Sequence, residues 1–246
     1  MDYPDFSKIF HQSSKSHTKG HLPISQNESE WPQEWHTTYY KTYPRLPKIA
    51  LTHEKQKADF FMVLQERKSR RDFSGGYISK KELSLLLEYS CGNAGALEEG
   101  RFRRVQPSAG ARFPIETYAL IIQPSEELPA GLYHYGVKEH ELDVLLEKKF
   151  SDQEIGTFFS YPWVKNASMV ILFTGVFNRT QSKYGERGYR YVLIEAGHIA
   201  ENISLVGQAL DIKCCCFGGT NDEALEELMD IDGITESMLY AVVIGK

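Results

Sequence analysis

Cysteine is scarce in this chain and badly spaced for bridging: the four are Cys91 and the run Cys214, Cys215 and Cys216. Three adjacent cysteines give neither a disulfide framework nor a metal-binding spacing. They read as reduced thiols, and "CCCF" as a buried strand of small apolar residues. Long apolar runs are missing too; nothing approaches the ~18 residues a membrane span requires. The opening "MDYPDFSKIF" lacks the basic stretch and apolar run of a secretory signal. A cytoplasmic protein is expected. Positive charge is not in excess: 28 Lys and Arg stand against 33 Asp and Glu, a net charge of -5. That excludes a broad basic face for nucleic acid but leaves room for a local phosphate site. No G-x-G-x-x-G, Walker or G-x-S-x-G sequence occurs, so Rossmann, P-loop and nucleophile-elbow chemistry have no support.

What is present is ordinary globular composition: 246 residues, 41% hydrophobic and 25% charged, enough for one large domain or two small ones. Residues 1–57 differ from the rest. They are rich in Ser, His, Lys, Pro and aromatics, with little periodicity. Five of the eight histidines lie there: His11, His17, His21, His36 and His53. Their spacings fit no zinc pattern, and no metal is expected. "WPQEW" and "YPRLP" look like anchors for an extended arm, laid over the body or over a partner subunit.

From residue 58 the signals sharpen. "ADFFMVLQERKS" predicts a helix with Phe60, Val63 and Leu64 on its apolar face. Ser79 and Glu82 form a capping box for a second helix, ending near Gly92. "EGRFRRVQPSAGARFP" reads as loop. "IETYALIIQ", "LYHY" and "HELDVLLE" read as strands, with Tyr133, His134 and Tyr135 alternating faces. "SDQEIGTFF" carries a second Ser-x-x-Glu helix start, and "ASMVILFTGVF" is apolar enough for a central strand. A long helix over "YRYVLIEAGHIAENISLVGQAL" follows, then the strand "IKCCCFGG", an Asn-capped helix and the last strand "MLYAVVIG". Without regular βαβ alternation, the fold class is α+β.

Three stretches could carry chemistry. "RKSRRDF" offers Arg67, Lys68, Ser69 and Arg71 to a phosphate, although cations completing a helix C-terminus explain it as well. Pro107, Ser108, Ala109 and Gly110 are small enough for backbone to approach a flat ligand, or for a simple tight turn. In "CFGGTND", Gly218 and Gly219 separate a strand from a helix N-terminus, a common ligand-binding layout. A fourth stretch, "SKYGERGYR", crowds Lys183, Arg187 and Arg190 at the start of the longest helix, the positive end of its macrodipole. Its glycines predict a shaped loop there. Glu195 and His198 lie three apart on the long helix, where packing with a satisfied hydrogen bond accounts for them.

Taken in order, "RKSRRDF", "RRVQPSAGARFPIETY", "GLYHY", "KYGERGYRYVLIEAGHIAEN" and "FGGTNDEALEELMDIDG" resemble the FMN-dependent nitroreductase superfamily. Within it the chain is most similar to the SagB-type dehydrogenases of thiazole/oxazole peptide biosynthesis. The likeness covers residues 58–246, taken as one FMN-binding domain behind the 1–57 arm. It implies helices around a mixed central sheet and an intertwined homodimer with an FMN at each end of the interface. Arg67, Lys68, Ser69 and Arg71 would hold the FMN phosphate and ribityl chain, with Arg104 a further phosphate candidate. Pro107, Ser108, Ala109 and Gly110 would line the isoalloxazine, and the amides near Gly218 and Gly219 would face N5. Many nitroreductases continue past their last strand with basic residues that grip the phosphate; here Lys246 or the arm would substitute.

The resemblance also matches Lys183 and Tyr184 to a proton-abstracting pair. Turning an azoline into an azole removes a hydride to flavin and a proton from carbon. A free tyrosine, with pKa ~10, is a poor base, and a neighbouring ammonium would lower it. The function expected is oxidation of peptide azolines, in company with a cyclodehydratase. The rivals are an NAD(P)H-dependent nitroreductase and a docking subunit without redox activity. An exposed loop would account for Lys183 and Tyr184 without any catalytic role.

Overall fold

The structure, a computed structural model, describes residues 6–15, 24–25, 27–96 and 102–246. Its strands are β1 (Lys48–Ala50), β2 (Asn93–Ala96), β3 (Phe102–Arg104), β4 (Ile115–Ile121), β5 (Gly131–Gly136), β6 (Glu141–Glu147), β7 (Met169–Val176), β8 (Lys213–Phe217) and β9 (Glu236–Gly245). Seven of them form one sheet in the order β1-β6-β5-β4-β7-β9-β8, while β2 and β3 make a separate hairpin. Every described pairing in the large sheet is antiparallel. The mixed sheet implied by the family resemblance is therefore corrected for the single chain. β4, β5 and β6 follow one another through short connections, which only antiparallel neighbours allow.

The helices are α1 (Phe6–Ser13), α2 (Gln33–His36), α3 (Phe60–Glu66), α4 (Lys80–Cys91), α5 (Asp152–Phe158), α6 (Asn178–Tyr184), α7 (Glu186–Ala209) and α8 (Asp222–Met229). They cover both faces of the sheet, which gives the α+β class. On one face Leu83, Leu86 and Leu87 of α4 and Val192, Ile199 and Ile203 of α7 pack on Tyr133, Ile171 and Val242. On the other, Ile155 of α5 and Leu225 and Met229 of α8 pack on Tyr118, Leu172 and Val243. Neighbours such as Ile171 and Leu172 thus point to opposite cores, which is why β7 reads as an unbroken apolar run. Cys214 and Cys215 are buried in the edge strand β8. Burial pushes the Cys214 thiol up to about 12 and that of Cys91 up to about 11, so both stay protonated.

The helix-start signals expected at Ser79 and Ser151 are both capping boxes in the structure. Ser79 Oγ accepts from the Glu82 amide at 3.2 Å, and Glu82 accepts from the Ser79 amide at 2.8 Å. Ser151 and Glu154 repeat the arrangement at α5. Replacing Ser79 with Ala is expected to cost about 1 kcal/mol, read from urea melts; an unchanged midpoint would mean that packing alone sets this helix start. Among the described residues no helix is long and apolar enough to cross a membrane.

Three local readings are corrected. The stretch expected as loop contains β3, which pairs with β2; both strands are too short to show alternation, and β2 is Gly/Ala-rich. A separate helix, α6, occupies the place of the expected loop before α7. The described part of the arm is not uniformly extended: it contributes α1 and α2, and β1 pairs with β6 at the sheet edge. His17 and His21 lie outside the described residues.

Candidate active site

The loop after β3 is wound tightly by its own sequence. Gly110, Ala111 and Phe113 all take positive φ, at 61°, 52° and 47°. Ser108 Oγ closes the loop by accepting from the Phe113 amide at 2.9 Å. A Cβ on Gly110 would stand 2.7 Å from Tyr184 Oη and 3.4 Å from Lys183 Nζ. Glycine is required there, and two stretches more than 70 residues apart, Pro107–Gly110 and Lys183–Tyr184, meet at that point.

Lys183 and Tyr184 form the end of α6, which stops where Gly185 takes φ 55° and ψ -146°. Lys183 therefore sits at a helix C-terminus, where a cation is favoured. Arg187 and Arg190 follow the same rule across a contact. Arg190 donates to His11 O at 2.6 Å and to Ser14 Oγ at 2.8 Å, and Arg187 donates to Ser14 O at 3.4 Å. They hold the C-terminal end of α1. The crowding of cations at the start of α7 belongs to two other helices.

Lys183 is buried under the arm. Its Nζ lies 3.2 Å from the ring centroid of Trp31 and 5.2 Å from that of Trp35, a cation–π cage. Tyr184 is half-buried, and its ring stands edge-on to Tyr191 at 5.2 Å. Burial, with Tyr191 beside it, pushes the Tyr184 hydroxyl above the ordinary 10, against a smaller opposing pull from Arg112. The expectation that an ammonium lowers this group is corrected: Lys183 faces the indoles, and its Nζ is 5.8 Å from the Tyr184 ring centroid.

Behind the loop, Glu195 of α7 is buried and accepts from Gln106 Nε2 at 3.2 Å. Burial raises its carboxyl to about 7, although hydrogen bonds from Ser108 and Gln106 pull the other way. It satisfies the hydrogen-bonded packing expected of it and can also hold a proton near neutral pH; His198 is exposed. Arg112 was missed by sequence reasoning. It donates to Arg179 O at 2.7 Å, Glu34 O at 2.7 Å and Thr37 O at 3.1 Å, stapling the arm to the loop. The only signal was a cation one residue past a glycine turn. A cleft of about 320 Å³ opens beside the loop, lined by Gln106, Pro107, Ser108, Ala111 and Phe113 among others.

The remaining candidates lie elsewhere. The Arg70 amide donates to Cys214 O at 3.0 Å, laying "RKSRR" along edge strand β8. Ser69 and Arg71 reach the Cys215 thiol from exposed positions. Lys68 is exposed, and Arg67 pairs with Glu201 at 3.7 Å. Gly218 is open, with nothing nearer to an added Cβ than Tyr240 at 4.0 Å; Gly219 is pressed between Phe217 and Tyr161. Among the described residues no hydrogen bond, ion pair or ring contact joins this group to the Gly110–Lys183–Tyr184 group. Arg104 is buried and lines the cleft beside the Pro107–Gly110 loop, 4.7 Å from the Phe113 ring and 5.3 Å from the Tyr40 ring. Lys246 is committed to an ion pair with Glu82.

The profile of the nitroreductase family matches residues 64–246. A Methanocaldococcus jannaschii protein named as a nitroreductase, MJ1384, is 28% identical over 69% of this chain and 83% of its own length. The trifolitoxin-processing protein TfxB of Rhizobium leguminosarum is 28% identical over 67% of this chain; the match spans only 46% of TfxB. Among solved structures, the Escherichia coli microcin synthetase McbBCD complex with truncated pro-MccB17 has a chain of the same fold. It has a TM-score of 0.61 at 19% identity, over 98% of this chain and 91% of that one. A nitroreductase-named protein of Exiguobacterium sibiricum in complex with FMN has a TM-score of 0.52 at 16% identity, over 78% of this chain and 90% of that one.

Proposed function

The chain belongs to the nitroreductase family, and from that premise we propose that it is an FMN-dependent dehydrogenase that oxidises azoline rings in peptides. The observation that carries this reading is the apposition of Lys183 and Tyr184 to Gly110, a proton-handling pair against a surface kept flat by the absence of a side chain. Relatives named for peptide processing support the substrate class.

The residues present fit FMN. Lys68, Ser69 and Arg71 are exposed donors suited to a phosphate, with Arg67 at their edge. Pro107, Ser108, Ala109 and Gly110 offer a flat, small-residue wall, and Gly218 and Gly219 offer strand-end amides. FMN, when bound, supplies the acceptor for the hydride. The chain's part is to orient the ring and take the carbon-bound proton on Tyr184 Oη, with Lys183 Nζ turning from the indoles to stabilise the phenolate. Trp31 and Trp35 keep water from the pair. Because the two groups of candidates are separate in one chain, a second copy supplies the missing half of each site. The exposed α3 face fits that homodimer: Phe60, Phe61, Met62 and Leu64 are all exposed, Phe61 by 74%. A cyclodehydratase partner would deliver the cyclised peptide, in keeping with the McbBCD assembly.

The test is an absorption spectrum of the purified protein, then mass spectrometry of a cyclised peptide incubated with it. Bound flavin and a loss of two hydrogens per ring are expected; a folded protein that cannot be loaded with FMN sinks the reading. A pH series follows from the upward shift of Tyr184. The active form is the phenolate, so single-turnover rates should rise with pH through the alkaline range. A rate that does not change with pH would remove Tyr184 as the base. The name of the M. jannaschii relative favours a second reading, an NAD(P)H-dependent nitroreductase. Rapid bleaching of the flavin by NAD(P)H, with nitroaromatic reduction and no peptide oxidation, would select it.

A further inference from the structure

Three side chains distant in sequence converge on the far end of α4. His53 follows β1 in the arm, Glu88 lies in the last turns of α4, and His140 lies in the turn between β5 and β6. His53 Nδ1 is 2.7 Å from Glu88 Oε1, and His140 Nε2 is 4.0 Å from Glu88 Oε2. One donor atom from each lies within 4.8 Å of the others. Two ligands of a tetrahedral ion, each about 2.0–2.1 Å from it, stand roughly 3.3 Å apart. The observed spacings bracket that value.

Two independent features mark the place. Glu88 Oε2 is buried with no hydrogen-bond partner among the described residues, a cost that a cation would remove. His140 ends the β5–β6 turn at φ 49°, and the Leu51 amide fixes it there by donating to its carbonyl at 3.1 Å. The His140 ring is also oriented from behind, since Nδ1 lies 2.8 Å from the buried Tyr135 hydroxyl. Metal-ligating histidines commonly have such a partner on the other nitrogen. Thr52 O, 3.2 Å from His140 Nε2, adds an oxygen at the same spot. A cavity of about 530 Å³, lined by Asn93 and Lys138 as well as the three side chains, opens onto the cluster and leaves room for water on the ion.

We propose that His53, Glu88 and His140 bind a divalent transition-metal ion, with zinc the best match to two imidazoles and one carboxylate, and that the ion clamps the arm to the body. Binding takes the lone pair of His140 Nε2, so the single proton of the neutral ring sits on Nδ1 and donates to Tyr135, and Nε2 gives up its contact with Thr52 O. The positions 53, 88 and 140 have no local spacing, so no sequence motif could announce the site.

The test titrates zinc into the untagged full chain after stripping with a chelator, by calorimetry. One ion per chain is expected, with at least about 100-fold weaker binding in His53→Ala and in Glu88→Gln. His53 is 69% exposed on its side chain, so His53→Ala should stay folded, which circular dichroism checks. Cobalt(II) should show d–d bands without the near-ultraviolet band of thiolate ligation. Absence of saturable binding, unchanged affinity in His53→Ala, or a thiolate band that assigns the ion to Cys214–Cys216 would each overturn the site.

Discussion

Tyr184→Phe is expected to slow single-turnover oxidation of a cyclised peptide by at least about 100-fold while the protein keeps its FMN. The substitution removes one oxygen. The ring would still meet Tyr191 edge-on, at the 5.2 Å seen for Tyr184, so packing should survive and the flavin absorbance should be unchanged. What is lost is the atom nearest the surface of Gly110. Lys183→Ala should impair turnover similarly for a different reason. It removes the charge that stabilises the phenolate and also empties the indole cage, so the arm should loosen. Protease sensitivity of the arm would therefore separate the two variants. Turnover within about threefold of the wild type in Tyr184→Phe would place proton abstraction on another group. Glu195, held near 7 by burial and lying behind the same loop, would then be the next residue to replace.

How much of this was legible in the sequence depends on how local the cause is. The capping boxes at Ser79 and Ser151 are set by residues three apart, and both were readable. The apolar runs of β4 and β7 were equally plain. The start of α7 was not. Lys183 looked misplaced because it was assigned to the helix after it, whereas Gly185 ends one helix and begins the next. The macrodipole rule was sound; the break between the two helices at Gly185 was invisible. Arg187 and Arg190 were harder still, because the carbonyls they satisfy lie more than 170 residues away. The indole cage over Lys183 has the same character. "WPQEW" announced an anchor, but nothing in it named what it anchors.

The buried ionic cluster on β4 and β5 is expected to dominate acid stability and to carry the largest single stability effect in the molecule. Glu116 lies between His134 Nε2 at 3.0 Å and Arg179 Nη1 at 2.6 Å, and His134 Nδ1 lies 2.8 Å from Asp143. Glu116→Gln preserves the shape but leaves the Arg179 charge buried without its partner, a loss of about 3–5 kcal/mol. Burial by itself would raise the Glu116 carboxyl. The Arg179 charge and the His134 hydrogen bond outweigh it and hold the group at about 2, below the ordinary 4.5. A depressed carboxyl stabilises the fold fully above its unfolded value and loses that contribution as pH falls towards its folded value. The window is therefore pH 4.5 down to about 2, and urea melts across it should show a steep decline in the wild type. Half-buried Glu154 and exposed Asp232 are also depressed, so the readout is the difference between wild type and Glu116→Gln. That difference should shrink as pH falls; a constant difference would mean that Glu116 acts through shape alone. The effect should reach the active site as well. Arg179 lies in α6, and it donates to Phe113 O at 3.0 Å. Glu116 thereby ties both the helix that carries Lys183 and Tyr184 and the loop that carries Gly110 to the centre of the sheet.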